Sequence, residues 1–257
     1  MIYSGYSSAQ FLDKNIIYVG GNQANYTTIQ DAINAASNGD TIYVSHGVYH
    51  ENILIDKSIN LVGEDKTTTI IDGGKHGNVV TLSHLSTQVN LTGFTIQNSG
   101  FQYYDSGIDV NSDYNTIAGN IIKDCGYGVS LDLWGHNCRI YDNTFKDNTY
   151  GVVVYSVIPN SNIIYHNNFI DNHINAYDNS NSSWMYHGEG NYWDDYTGSD
   201  ENNDGIGDTP YVIPGGNTYD PYPLMELYET PGFDMILGII SIVMMIVILK
   251  SKQKTSR

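Results

Sequence analysis

The chain has 257 residues with a formal charge of −17, and residues 1–249 set seven basic side chains against 28 acidic ones, a net −21. A domain this acidic repels phosphate backbones, which excludes nucleic acid as a partner and leaves metal cations and neutral or basic ligands. Gly (26) and Tyr (22) are abundant and Pro (6) is scarce, a mixture that suits many short strands joined by tight turns. The two cysteines, Cys125 and Cys138, are too few for a disulfide framework or a four-ligand zinc site and read as small buried side chains.

Residues 1–15 are expected to be disordered. Met1 to Ser8 has neither the basic nor the apolar region of a secretory signal, so the beginning reads as a truncated start. Ile16 to Gly21 is strand-like. Ile29, Ala32, Ile33 and Ala36 then fall at helical spacing, with Thr28 and Asp31 as a capping box and Gly39 as a left-handed stop. A helix over 28–38 is predicted, covering the first rung of a stack of strands. Asp40–Ser45 and Ser58–Gly63 alternate apolar and polar residues, as half-buried strands do.

From about residue 90 the sequence repeats. Leu91, Ile117, Ile140 and Ile164 are spaced by 26, 23 and 24 residues. Five positions after each come Ile96, Ile122, Phe145 and Phe169. Three positions after the last three come Asn120, Asn143 and Asn167, and eleven after them Gly128, Gly151 and Asn175. The Gly/Asn position reads as a corner with φ > 0, and the Asn series as a stack that bonds backbone and neighbouring amides. The apolar positions are mostly Ile, Val and Phe, with no helical period between residues 40 and 185, which disfavours a leucine-rich repeat. The predicted fold is all-β, a right-handed single-stranded parallel β-helix over 16–226 with its N-terminal capping helix.

Tyr26–Val44, Gly47–Ile55 and Ile59–Glu64 resemble the opening of pectin-methylesterase-like and NosD-like β-helix proteins. Gly190-Asn-Tyr-Trp-Asp-Asp-Tyr, Asp204-Gly-Ile-Gly-Asp-Thr-Pro-Tyr and Asp220-Pro-Tyr-Pro-Leu-Met are similar to the close of the NosD-like group. The resemblance implies the fold over about residues 16–226. For activity it spans sugar-binding proteins, lyases, hydrolases, epimerases and a copper-site maturation factor. Pro231-Gly232-Phe233, an apolar stretch and a basic tail resemble a PGF-type signal read by archaeosortases, which implies a processing enzyme as a partner.

Met235 to Leu249 is 15 residues without a charge, about 22 Å as a helix. With the basic tail it reads as a transmembrane anchor over 233–257, joined by a linker at 227–232 and placing the acidic domain outside the cell. Three glycosylation acceptors, Asn25-Tyr-Thr, Asn90-Leu-Thr and Asn181-Ser-Ser, agree with that placement.

Within an acidic loop at 191–223, Asp200, Asn202, Asp204, the Ile206 carbonyl and Asp208 follow the oxygen spacing of a calcium loop, with Gly205 at the sharp turn. Tyr211 stands where an EF-hand has its bidentate Glu. Aligning Gly107, Gly128 and Gly151 places Asp109, Asn111, Ser130, Asp132, Trp134, Val153 and Tyr155 on one outward face. Asp109, Asn111, Asp132, Trp134 and Tyr155 are the expected carbohydrate-binding residues, the rings by stacking and the acids through hydroxyls. Asp109 and Asp132 are also the candidate acid and base of a polysaccharide-active enzyme. Arg139 alone precedes the basic tail as an arginine, which disfavours grip on acidic sugars, while hydrolysis of a neutral glycan stays open. Copper handling is a third reading: His46 and His50 are spaced to converge at a turn, a weak copper pair. The favoured reading is a surface-anchored, non-catalytic glycan- or envelope-binding module.

Overall fold

The computed structural model describes residues 15–229 apart from Gln23, Tyr103 and residues 156–160. Strands of two to five residues stack in parallel into three long sheets that enclose one core, the parallel β-helix of right-handed type that the repeat predicted. The first sheet has seven strands, from Ile16–Val19 through Thr41–Val44 to Ile163–Tyr165. The second, also seven-stranded, runs from Gly47–Tyr49 to Tyr192–Trp193, and the six-stranded third from Ile53–Ile55 to Ile174–Asp178. A short antiparallel pair, Tyr211–Val212 with Tyr219–Asp220, lies beyond the last coil.

The register is the one the spacing implied. Leu91, Ile117, Ile140 and Ile164 are successive partners in the first sheet, and Ile96, Ile122, Phe145 and Phe169 in the second. All eight are fully buried, so each rung seals its apolar face against those above and below it. Phe145 and Phe169 stack at 5.1 Å, Trp193 adds a ring at 4.3 Å, and Tyr211 closes the column at 4.1 Å.

Corners are made differently from the expectation. Gly107, Gly128 and Gly151 sit inside strands of the third sheet and none has a positive φ. They are glycine because the coils approach closely there: a Cβ on Gly107 would lie 2.8 Å from the Gly128 oxygen, and one on Gly128 would lie 2.9 Å from Cδ1 of Phe145. The left-handed residues lie elsewhere, between the strands. Gly93, Gly119, Asp142 and His166 turn the chain from the first sheet to the second, and Asn98, Asp124, Asp147 and Asp171 from the second to the third. Gln88, Tyr114 and Asn137 occupy the third corner.

The residue after each left-handed one carries the lateral bonding. Asn120, Asn143 and Asn167 are buried, and each backbone N–H donates to the side-chain oxygen of the next Asn, at 3.0 to 3.1 Å. Asn143 Nδ2 also donates to the Ile117 and Tyr141 carbonyls, at 2.9 and 3.0 Å. At the other corners Asn148 accepts from Cys125 N and Asn162 from Cys138 N, so both cysteines occupy ladder positions. The sequence reading of them as small buried residues agrees.

The helix spans Ile29–Ala35, shorter than 28–38. Thr28 caps it by accepting from Asp31 N, and Glu51 accepts from Ile29 N and Gln30 N at 2.8 and 2.9 Å, an anion at the positive helix end. Ala36 is already extended, so Gly39, at φ +90°, shapes the turn into the next strand and does not end the helix. Ile29, Ala32 and Ile33 are buried, and the Gln30 amide pairs with both backbone groups of Leu54 on the edge of the third sheet.

At the far end, residues 191–223 close on the column. Asp220 is fully buried and accepts from Asn191 N at 2.7 Å and from Trp193 Nε1 at 3.0 Å, ending the amide ladder on a carboxylate. Asp178 likewise receives Trp184 Nε1 at 2.9 Å. Residues 1–14, the PGF motif at 231–233 and the apolar stretch 235–249 lie outside the described residues; among the described residues no helix is long and apolar enough to cross a membrane. Tyr228, in the expected linker, is tied to the wall: it exchanges backbone bonds with the Asn168 side chain at 2.7 and 3.0 Å and stacks on His166 at 3.9 Å.

Asn143→Ala should lower stability by about 3 kcal/mol, since the buried Ile117 carbonyl and Asn120 N–H lose their bonds to Asn143 and the Tyr141 carbonyl keeps only the one from Gly119 N. Denaturant unfolding followed by circular dichroism measures it. Asp220→Ala is expected to cost a similar amount, roughly 2–4 kcal/mol, by orphaning the Asn191 and Trp193 donors. A loss near zero in either variant would overturn the ladder account.

Candidate functional site

The outer face of the third sheet presents a row at the end of its strands. Ser83, Asn111, Asp132, Tyr155 and Asn179 occupy equivalent places on five successive rungs, each immediately after the strand or one residue beyond it. Four rung spacings make the row about 19 Å long, parallel to the helix axis. Two clefts open along it, one of about 360 Å³ lined by Tyr104, Asn111, Asp132, Leu133, Trp134, Tyr155 and Asn179. The other, about 700 Å³, is lined by Thr81, Ser83, His84, Asn111 and Trp134. They share Asn111 and Trp134, so the clefts form one groove.

Trp134 is the outstanding wall. It sits in the loop after Tyr127–Leu131, which turns back through Gly135 N donating to the Asp132 carbonyl at 3.0 Å, and its side chain is 66% exposed. Tyr104, from the loop before Ser106, lines the same cleft. The Tyr104 ring meets Tyr127 at 6.2 Å and Tyr155 at 6.4 Å, residues at opposite ends of neighbouring strands, and therefore lies across the face. The sequence missed this crossing. It explains why Ser130 and Val153, expected outward and accessible, are 1% exposed.

Of the expected carbohydrate-binding residues, Asn111, Asp132, Trp134 and Tyr155 come together in the groove wall. Asp109 stands behind them. Its Oδ2 accepts from Asn78 Nδ2 at 2.9 Å and from Asn111 Nδ2 at 2.8 Å, so it holds Asn111 in place from below. Asp109 pairs in register with Ser130 and Asp132 lies two residues farther along, a diagonal of about 8 Å between Cα atoms. Burial raises the Asp109 carboxyl above the usual carboxylate range, the Asn111 hydrogen bond opposes the rise, and the Asp132 charge adds to it. Burial also raises Asp132.

The expected calcium ligands close on their own loop. Asp200 accepts from Asp204 N and Gly205 N at 3.1 and 3.0 Å, Asp204 from Ile206 N at 3.0 Å, and Asp208 from Glu201 N at 2.8 Å. Gly205 has φ +85°, the sharp turn expected of it. Among the described residues no three His, Cys, Asp or Glu side chains gather as a metal-binding group, this loop included.

A family model described as periplasmic copper-binding protein (NosD) matches residues 6–198. A probable ABC transporter binding protein NosD of Stutzerimonas stutzeri is 31% identical over 101 residues, which cover 39% of this chain and 18% of that protein. The chain thus spans less than a fifth of that relative's length. Among solved structures, pectin methylesterase from carrot aligns with TM-score 0.42 at 16% identity, covering 67% of this chain and 70% of that one. The rice weevil pectin methylesterase aligns with TM-score 0.42 at 14% identity, covering 75% and 65%.

The His46–His50 pair does not offer a site for the copper of the family description. His46 is engaged by Glu64 at 3.0 Å, and His50 lies beyond the far end of the strand Gly47–Tyr49, on the order of 13 Å away along the chain. The pair does not converge at a turn as the spacing suggested. Burial pushes both thiols up to about 11, which keeps them protonated and poor ligands. Fold, repeat register and the family match across most of its length place the chain in the NosD family of parallel β-helix proteins.

Proposed function

We propose that this protein is a non-catalytic envelope module, held outside the cell membrane, that binds a glycan chain along the groove of the third sheet. The observation that carries it is the placement of exposed Trp134 beside Asn111 and Asp132, in a groove running across five rungs. A ring face offers sugar C–H groups a stacking surface, and Asn111, Asp132 and Asn179 offer bonds to hydroxyls. The axis-parallel course suits a polymer, because successive rungs repeat the same polar positions every 4.8 Å or so. The periplasmic location in the family description supports the extracytoplasmic placement.

A catalytic reading has one observation in its favour, the raised carboxyls of Asp109 and Asp132. Against it, Asp109 Oδ2 is committed to two amide donors, and the residue is not among those that line either cleft. Its raised pKa has a structural consequence instead. The folded-state value lies above the unfolded one, so this group's own contribution to stability is greatest below about pH 3.9 and declines as pH rises through the folded value.

The test passes the full chain over a panel of neutral and acidic polysaccharides and reads retention and product mass together. Retention without a change in mass is expected, and Trp134→Ala should abolish it. Shortened or altered product that vanishes in Asp132→Asn would make the protein an enzyme. Asp109→Asn, whose carbonyl oxygen still accepts from Asn78 and Asn111, should melt higher than the parent at pH 7. That advantage should close as pH falls below about 4; a pH-independent difference would refute the burial assignment.

A further inference from the structure

The carboxylates of the groove face no lysine or arginine among the described lining residues. Among the described residues its lining contains Asp132, backed by Asp109, one histidine, His84, and neither Lys nor Arg. Asp132 is half-buried and its carboxyl is already penalised by burial. A sugar laid over it removes the remaining water. A neutral hydroxyl returns a hydrogen bond but no charge, whereas an ammonium returns both. Trp134 stands two residues from Asp132 on the same wall with its ring exposed, and an indole face attracts a cation independently of the carboxylate. A uronate would meet two carboxylates and neither a lysine nor an arginine among the described lining residues.

Building on the glycan reading above, we propose that the groove takes a glycan chain bearing free amino groups, with an ammonium seated between the Asp132 carboxylate and the Trp134 ring. Asn111, fixed by Asp109, and Asn179 then serve the hydroxyls of neighbouring sugars along the row.

Calorimetric titration of the full chain compares glucosamine oligomers, N-acetylglucosamine oligomers of equal length and oligogalacturonate, at a pH between those of the carboxyls and the amines. The glucosamine oligomer should bind about tenfold tighter than its acetylated counterpart, with a preference that shrinks as salt is added. Because the acidic surface attracts any polyamine, the deciding variant is Asp132→Asn, which changes the net charge by one. It should erase the preference by weakening the glucosamine oligomer about tenfold more than the acetylated one. Trp134→Ala should weaken both oligomers. Equal or tighter binding of the acetylated oligomer or of oligogalacturonate would overturn the amino-sugar assignment and leave glycan binding intact. A preference that survives Asp132→Asn would overturn the seat. Absence of binding to every oligomer in this titration and to every polysaccharide in the panel above would sink the glycan reading itself.

Discussion

Everything in this molecule depends on turning a buried backbone through a corner without orphaning its polar groups. A coil of three short strands changes direction three times, and at each corner the ladder between rungs is interrupted. At several corners the solution is a pair of adjacent residues: one left-handed residue that bends the chain, then one buried amide whose oxygen takes the backbone N–H of the preceding rung. Phe94 N donates to Asn120 in the same way, so the column is continuous from there to Asn191. Each amide serves the rung before it, so the corners couple the coils as firmly as the sheets do.

A ladder built this way has to end, and the two ends use different chemistry. On the C-terminal side the last Asn meets a carboxylate, Asp220, and the ring column meets Trp193 and Tyr211, so Asn-Tyr-Trp and Asp-Pro-Tyr act together as a plug. On the N-terminal side the Gln30 side chain stands in for a strand against Leu54, and Glu51 binds the helix start. The motifs that carry the family resemblance at the C-terminus are thus explained by termination of the solenoid, separately from the groove on its flank.

How much was legible from the residues depends on the physics of each feature. Burial imposes a period, so Leu91, Ile117, Ile140 and Ile164 announce the register, and the Asn series three places on announces the ladder. The left-handed corners were hidden because Asp124, Asp147 and Asp171 look like ordinary surface acids, while Gly128 and Gly151 drew attention for the wrong reason. The outward placement of Trp134 and Asp132 was legible because outward positions also follow the period. Tyr104 was not: a side chain that reaches across a face from an irregular loop obeys no period, and with it went the burial of Ser130 and Val153. Acidic spacing at Asp200 to Asp208 was equally ambiguous, since turns and ion sites ask for the same oxygens.

Cys125 and Cys138 stand where neighbouring coils place Asn, with each sulfur turned onto a backbone carbonyl, Lys123 for one and His136 for the other. A thiol pushed up to about 11 is ionised only to about one part in ten thousand at neutral pH. Exchange with disulfides proceeds through the thiolate, so both sulfurs are chemically silent in the folded coil. The fold can therefore carry two unpaired cysteines through an oxidising compartment, and the hazard of mispairing is confined to the interval before those two corners close.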